Sequence, residues 1–118
     1  MDCEIKITGD IMKAELIGEI DHHSVKPIRE KIDDAVEIHR PKTLFLDFGK
    51  ITFMDSSGIG LVMGRCRKTQ LYGGQVQVLR PSPQINKVMK LSGLYKLARF
   101  DDTEPNMFEL GKFEREEV

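Results

Sequence analysis

The chain has 118 residues, of which 40% are apolar and 31% charged, with a formal net charge of −1. That length supports one domain around one core, and the balanced charge excludes a basic field for nucleic acid. No apolar run approaches the roughly 20 residues that a membrane-spanning helix needs.

The start, Met1-Asp2-Cys3-Glu4-Ile5, is acidic where a secretory leader is basic. A cytoplasmic location is therefore expected, with Cys3 and Cys66 as free thiols. Glu4 to Thr8 and Met12 to Ile17 read as two strands joined by a Gly9-Asp10 turn, a hairpin. Met12, Ala14 and Leu16 alternate with Lys13 and Glu15, so the second strand is expected to be half buried. Gly18 to Asp21 leads to a helix over about Ser24 to Ile38, with Ser24 as N-cap. Val25, Ile28, Ile32, Ala35 and Val36 form its apolar face. Pro27 is tolerated in the first turn, and Arg40-Pro41 ends the segment.

Leu44 to Phe48, ending at Gly49, reads as a central strand covered on both faces. A second helix is expected from about Ser57 to Leu71, because Ile59, Val62, Met63 and Cys66 recur at helical spacing. Cys66 on that stripe is expected to be a small core residue. Gly73-Gly74 closes this helix, and Gln75 to Leu79 is a further strand. Ser82-Pro83 starts a third helix as cap and first residue, with Ile85, Val88 and Met89 inward and Gly93 at its C-terminal end. Ala98 to Phe100 is a short last strand. Pro105 to about Glu114 suggests a fourth helix, before a solvated tail. The strand–helix alternation after residue 11 predicts one α/β domain over 1–118, with its core at about 4–111 and a mostly parallel sheet opened by one hairpin.

In such sheets, sites gather where strands end and helices begin. Phe53-Met54-Asp55-Ser56-Ser57-Gly58-Ile59-Gly60 occupies such a junction, and the Asp21 loop occupies another. Asp and Ser are N-capping residues, so one reading of Asp55 and Ser56 is structural. The other is that a hydroxyl here accepts a phosphate, which suits a helix N-terminus with unpaired N–H groups. Local chemistry allows either Ser56 or Ser57 as acceptor. Gly58, Gly60 and Gly64 each cost the helix about 1 kcal/mol relative to alanine, which calls for close packing inside the fold or close approach by a partner, Gly58 being placed nearest the partner. Arg65 and Arg67 read as solvated charges. His22-His23 lack companion ligands at metal spacing. A Gly-x-Ser-x-Gly hydrolase motif is absent.

The same stretch, Phe53 to Gly60, resembles the signature of anti-sigma factor antagonists of the STAS domain family. Gly18-Glu19-Ile20-Asp21-His22-His23, Leu71-Tyr72-Gly73-Gly74 and Leu91-Ser92-Gly93-Leu94 are similar to its other marks. The resemblance runs from about Ile5 to Phe100, and Asp21-His22-His23 is closest to the sporulation type. It implies four or five strands with about four helices. It also implies Ser56 as phosphoacceptor and Asp21, Asp55, Ser57, Gly58, Ile59 and Gly60 as partner contacts. The implied partners are an anti-sigma factor that is also a serine kinase, and a metal-dependent serine phosphatase. No catalysis, cofactor, membrane or direct nucleic-acid contact of its own is implied. A general stress pathway and a constitutive interaction module are the alternatives. Asp47, at the expected end of the central strand, raises a further rival, an aspartyl-phosphate receiver domain. The acidic pair and lysine of that pattern are missing, and a strand-end hydrogen bond is the favoured role for Asp47.

Overall fold

Period-two alternation builds the first two elements. Strand β1 (Asp2–Thr8) turns at Gly9-Asp10 into β2 (Ile11–Ile20), and the two pair antiparallel from Asp2↔Ile17 to Thr8↔Ile11. The structure, a computed structural model, describes residues 2–101. The chain continues through α1 (Val25–His39), β3 (Thr43–Met54), α2 (Ser57–Leu71), β4 (Gln75–Leu79), α3 (Pro83–Leu91), a 3-10 turn (Leu94–Lys96) and β5 (Ala98–Asp101). The sheet order is β1-β2-β3-β4-β5, parallel from β2 onward. The fourth helix expected at Pro105 to Glu114 lies outside the described residues.

Helix α2 has the limits that its apolar spacing predicts. At α3, Ser82 caps as expected, its hydroxyl accepting from the Ile85 N–H at 3.3 Å, with Pro83 as first residue. After α3, Gly93 takes φ +85, a left-handed conformation that glycine enters without a Cβ penalty.

The central strand differs from expectation. It does not stop at Gly49 but runs on to Met54, because β2 continues to pair with it, Ile17↔Lys50, Gly18↔Ile51 and Ile20↔Met54. Register shifts at Glu15/Ile17 and Gly18/Glu19 absorb the extra residues. Gly18 sits at φ +106 in that irregular stretch, where a side chain is disfavoured. Phe53 and Met54 therefore end a strand rather than begin a loop.

One sheet face carries Met12, Ala14, Leu16, Leu44, Leu46, Phe48, Val76 and Val78 into the main core. There they meet Ile28, Ile32 and Val36 of α1, Leu61, Val62 and Cys66 of α2, and Ile85 and Met89 of α3. Each valine, leucine, isoleucine, phenylalanine or methionine side chain among them, once buried, contributes about 1.5–3 kcal/mol. Cys3 and Cys66 are buried free thiols, and burial pushes both up to about 11.

The opposite face carries a smaller cluster of Ile11, Phe45 and Leu79. Two charged residues are buried on it, and the alternation pattern did not anticipate this. Lys13, expected at the surface, is 7% exposed, and Asp47 is wholly buried. Lys13 Nζ lies 3.3 Å from Asp47 Oδ2, and Arg80 Nη2 lies 2.7 Å from the same oxygen. Asp47 Oδ1 accepts from Arg80 Nε at 3.2 Å and from the Gly49 N–H at 2.9 Å. Asp47 therefore stands in mid-strand, its oxygens already engaged, and offers no open acceptor for a phosphoryl group.

A second correction concerns Arg65. It is 5% exposed, and its Nε lies 2.7 Å from Asp33 Oδ1, tying α2 to α1. The contact is close but not aligned as a hydrogen bond. Packing of two helices along their flanks turned a nominally solvated charge inward. Arg67, by contrast, is exposed.

Replacing Asp47 by Asn is expected to cost about 3 kcal/mol, because it removes the buried carboxylate that Lys13 and Arg80 both face. Burial alone would raise the Asp47 carboxyl. The Arg80 hydrogen bonds, the Gly49 N–H and Lys13 outweigh that and hold it below its ordinary value. The unfolded carboxyl, titrating near about 4, then binds a proton before the folded one does, so this stability is present above that pH and lost as pH falls below it. Urea melts of wild type and Asp47→Asn across pH 2–7 check both the size and the flatter acid limb expected of the variant.

Candidate functional site

Strands β2 and β3 end side by side at Ile20↔Met54. The next residues are Asp21 and Asp55, and the Asp55 N–H donates to the Ile20 carbonyl at 3.0 Å. The two aspartate loops are thus one surface, stitched by backbone.

Each aspartate organises the helix that follows it. Asp21 Oδ1 accepts from the N–H groups of His23 at 3.0 Å and Ser24 at 2.9 Å, and the Asp21 N–H returns a bond to Ser24 Oγ at 3.2 Å. Ser24 occupies the N-cap position of α1, but its side chain makes no cap bond. Its hydroxyl donates to the Glu19 carbonyl at 3.1 Å instead. Asp55 Oδ1 accepts from the Ser57 N–H at 2.9 Å and also from the Ser57 hydroxyl. The Gly58 N–H donates to the Asp55 carbonyl and the Ile59 N–H to the Ser56 carbonyl, each at 3.1 Å. The helix start is therefore not the set of open donors that the sequence suggests, since its first N–H groups are already bonded.

This arrangement separates the three candidate residues. Asp55 supplies the cap and Ser57 has its hydroxyl tied to Asp55. Ser56 stands at the N-cap position of α2, exposed, with no side-chain cap bond. Its hydroxyl is the one presented to solvent without a structural duty at the helix start.

Both carboxyls are held below their ordinary range. For Asp21 the leading cause is the Ser24 N–H, supported by the Ser24 hydroxyl, the His23 N–H and the His23 charge. For Asp55 it is the Ser57 hydroxyl, then the Ser57 and His22 N–H groups, opposed by the neighbouring Asp21 charge. The surface around Ser56 thus carries two adjacent ionised carboxylates.

The glycines divide in a way that spacing alone did not reveal. Gly58, placed nearest the partner side by sequence, is buried, and a Cβ there would lie 2.3 Å from Met54 Cγ and Sδ. It allows α2 to sit on the end of its own strand. Above Gly60 and Gly64 nothing lies within 4 Å. Gly60 is exposed, while Ile59 leans on the core. Phe53, one residue before Met54, is 51% exposed on the same approach to the loop. The sequence marked it only as part of the Phe53–Gly60 stretch, and the extension of β3 is what places it near a strand end, open to solvent.

A STAS domain model matches residues 2–107. The chain belongs to the STAS domain family. It is 41% identical over 88 residues to the anti-sigma F factor antagonist of Lysinibacillus sphaericus, covering 75% of each chain. To that of Paenibacillus polymyxa it is 31% identical over 106 residues, 90% of this chain and 91% of the other. An anti-sigma-B factor antagonist of Bacillus subtilis is 23% identical over 94 residues, with 80% and 84% covered. Among solved structures, this STAS domain is similar to the anti-sigma factor antagonist SpoIIAA in its unphosphorylated form, with a TM-score of 0.72 and 32% identity over 98% of both chains. It is also similar to the Bacillus cell fate determinant SpoIIAA in the phosphorylated form. There the TM-score is 0.69 and the identity 36%, over 86% of this chain and 92% of that one. The five-stranded sheet with its opening hairpin is the expected STAS layout.

Two substitutions separate capping from display in this STAS domain. Asp55→Ala removes the α2 cap and is expected to cost about 1 kcal/mol. Ser56→Ala, which touches no cap bond, is expected to stay within about 0.5 kcal/mol of wild type. Urea denaturation of both variants measures the difference.

Proposed function

We propose that this STAS domain is an anti-sigma factor antagonist controlled by phosphorylation of Ser56. In its unmodified form it binds an anti-sigma factor that is also a serine kinase, and so frees the sigma factor. The kinase moves the γ-phosphoryl of ATP to Ser56 Oγ, releasing ADP and taking up the hydroxyl proton. A metal-dependent serine phosphatase restores the hydroxyl by adding water and releasing inorganic phosphate. The protein is substrate and inhibitor, acts in the cytoplasm, and needs no cofactor or catalysis of its own.

The observation that carries this reading is the division of labour at residues 55–57. Asp55 caps, Ser57 is held by Asp55, and the Ser56 hydroxyl is exposed and unused at the helix start. Similarity to proteins described in both an unphosphorylated and a phosphorylated form supports it. The relatives named for sigma F share more of this sequence than the one named for sigma B. That favours sporulation control over a general stress response.

The proposed contact surface is Asp21, Asp55, Ser57, Ile59 and Gly60, with Phe53 at its edge. Gly58 contributes by letting α2 close on Met54 rather than by touching the partner. Phosphorylation adds roughly −1.5 to −2 charge without requiring any change of fold. A partner carboxylate about 5 Å away would meet each added unit charge at a cost of roughly 3 kcal/mol at an effective dielectric near 20. That corresponds to weakening on the order of a hundredfold.

Incubation with the cognate anti-sigma kinase and ATP, followed by peptide mass spectrometry, is expected to place phosphate on Ser56 and none on Ser56→Ala. Titration calorimetry should then show Ser56→Asp and the phosphorylated protein binding the anti-sigma factor on the order of a hundredfold more weakly. Equal binding by all forms would leave a constitutive interaction module.

Gly60 gives an independent check on the contact surface. Gly60→Ala should stabilise the free protein by up to about 1 kcal/mol, because the added methyl meets open space in a helix. The same change should weaken the complex, since a closely approaching partner no longer fits. Denaturation and calorimetry on one variant read the two effects with opposite signs.

A further inference from the structure

Among the described residues, no lysine or arginine pairs with the carboxylates of the switch surface, and this points to two residues beside it. The inference rests on Ser56 being the phosphoacceptor. The neighbouring Asp21 and Asp55 carboxyls are both held ionised by their hydrogen bonds. Ser57, Gly58 and Ile59 already spend their N–H groups on Asp55 and Ser56 oxygens. The α2 terminus therefore offers its dipole but not those donors. The ion pairs found among the described residues leave Asp21 and Asp55 without a lysine or arginine. A phosphoserine here would add roughly two negative charges to two already present.

His22 and His23 stand in this loop. The His23 N–H donates to Asp21 Oδ1 at 3.0 Å, and the His22 N–H helps to lower the Asp55 carboxyl. Their side chains are exposed, and the two rings lie against each other with centroids 3.9 Å apart at 39°. Two imidazolium rings in such contact would repel each other. Histidine is the side chain that gains a proton near neutral pH, and its ring nitrogens then donate hydrogen bonds. The charged groups facing the pair are Asp21 on its own loop and Asp55 on the β3–α2 loop. Exposed Glu19 and Lys26 flank the loop at the end of β2 and the first turn of α1.

We propose that the stacked His22–His23 pair is the phosphate-binding element of the switch: when Ser56 is phosphorylated, one imidazole takes up a proton from water and pairs with the phosphoryl group. Phosphorylation is then linked to proton uptake, and lower pH favours the modified form. The two histidines are positioning and counter-charge residues, and their backbone bonds, which shape the loop, survive replacement of the side chains.

The test uses the full chain with phosphoserine installed at position 56 by codon reassignment, independent of any kinase. Phosphorus NMR follows the phosphate from pH 4.5 to 8.5, and carbon-13 spectra follow the histidine Cε1–H groups. The phosphate is expected to lose its second proton below the ordinary value of about 6, and His22→Gln/His23→Gln should bring it back to that value or above, since Asp21 and Asp55 remain. His22 or His23 should keep the imidazolium signal to higher pH in the modified than in the unmodified protein. His39, at the far end of α1, should behave alike in both. Urea melts confirm that the double variant is folded. Identical histidine titrations in the two forms, or a phosphate indifferent to the double substitution, overturn the proposal. If the kinase labels a residue other than Ser56, mass spectrometry shows it, and the functional reading falls rather than the chemistry of the pair.

Discussion

The parallel pairing of β2 with β3, carried to its last register at Ile20↔Met54 and closed by the Asp55 N–H on the Ile20 carbonyl, is the constraint on which the surface depends. Both strands are long for so small a domain, and both end at the same level. An aspartate follows each. Because the strands are hydrogen-bond neighbours, the two loops are brought together by backbone geometry alone. A shift by one residue would turn side chains to the opposite face and move Asp55 away from the Asp21 loop. The irregularities at Glu15/Ile17 and Gly18/Glu19 are the adjustments that let both strands reach that point together.

From that pairing follows the allocation of polar groups. Aspartates are spent on holding backbone N–H groups, Asp21 in the turn before α1 and Asp55 at the start of α2. The serine between two engaged residues is left to face solvent. Helix α2 leans on Met54 through Gly58 and presents Gly60 outward. The frame beneath is stiff. Lys13, Asp47 and Arg80 bridge three adjacent strand regions on one sheet face, and Asp33 with Arg65 bridges the two helices on the other. Removing one member of a buried pair is costly, so these contacts oppose rearrangement of the strands. On the proposed function, a surface modification on such a frame would act by charge and contact at the site, not by reshaping the fold.

The order and limits of most elements could be read directly from residues. Gly9-Asp10 announced the hairpin, Ser82-Pro83 opened α3, and the spacing of Ile59, Val62, Met63 and Cys66 delimited α2. Local signals suffice there because turns and caps are decided by the few residues that form them. The extent of β3 was not legible. Gly49 looks like a stop in one strand, and it is a passage only because β2 continues beside it. The roles of Lys13 and Arg65 were not legible either. Alternation marks a polar residue as outward-facing and says nothing of a carboxylate arriving from a strand or helix 32 or more positions away in sequence.

At the site itself, the chain by its residues determined that Asp55, Ser56 and Ser57 meet a helix start, and that phosphate chemistry suits such a place. It left the two serines equivalent and the helix donors apparently open. Only the folded arrangement sets their surroundings apart. The Asp55 carboxylate turns back to take both the N–H and the hydroxyl of Ser57, and it leaves Ser56 outside. It also decided that Gly58 serves packing while Gly60 faces open space, and that the Asp21 loop with its two histidines borders the same surface. The physical reason is the same in each case. Residue type and spacing specify what a segment is able to do, whereas hydrogen-bond partners and free space depend on which distant segment the sheet places next to it.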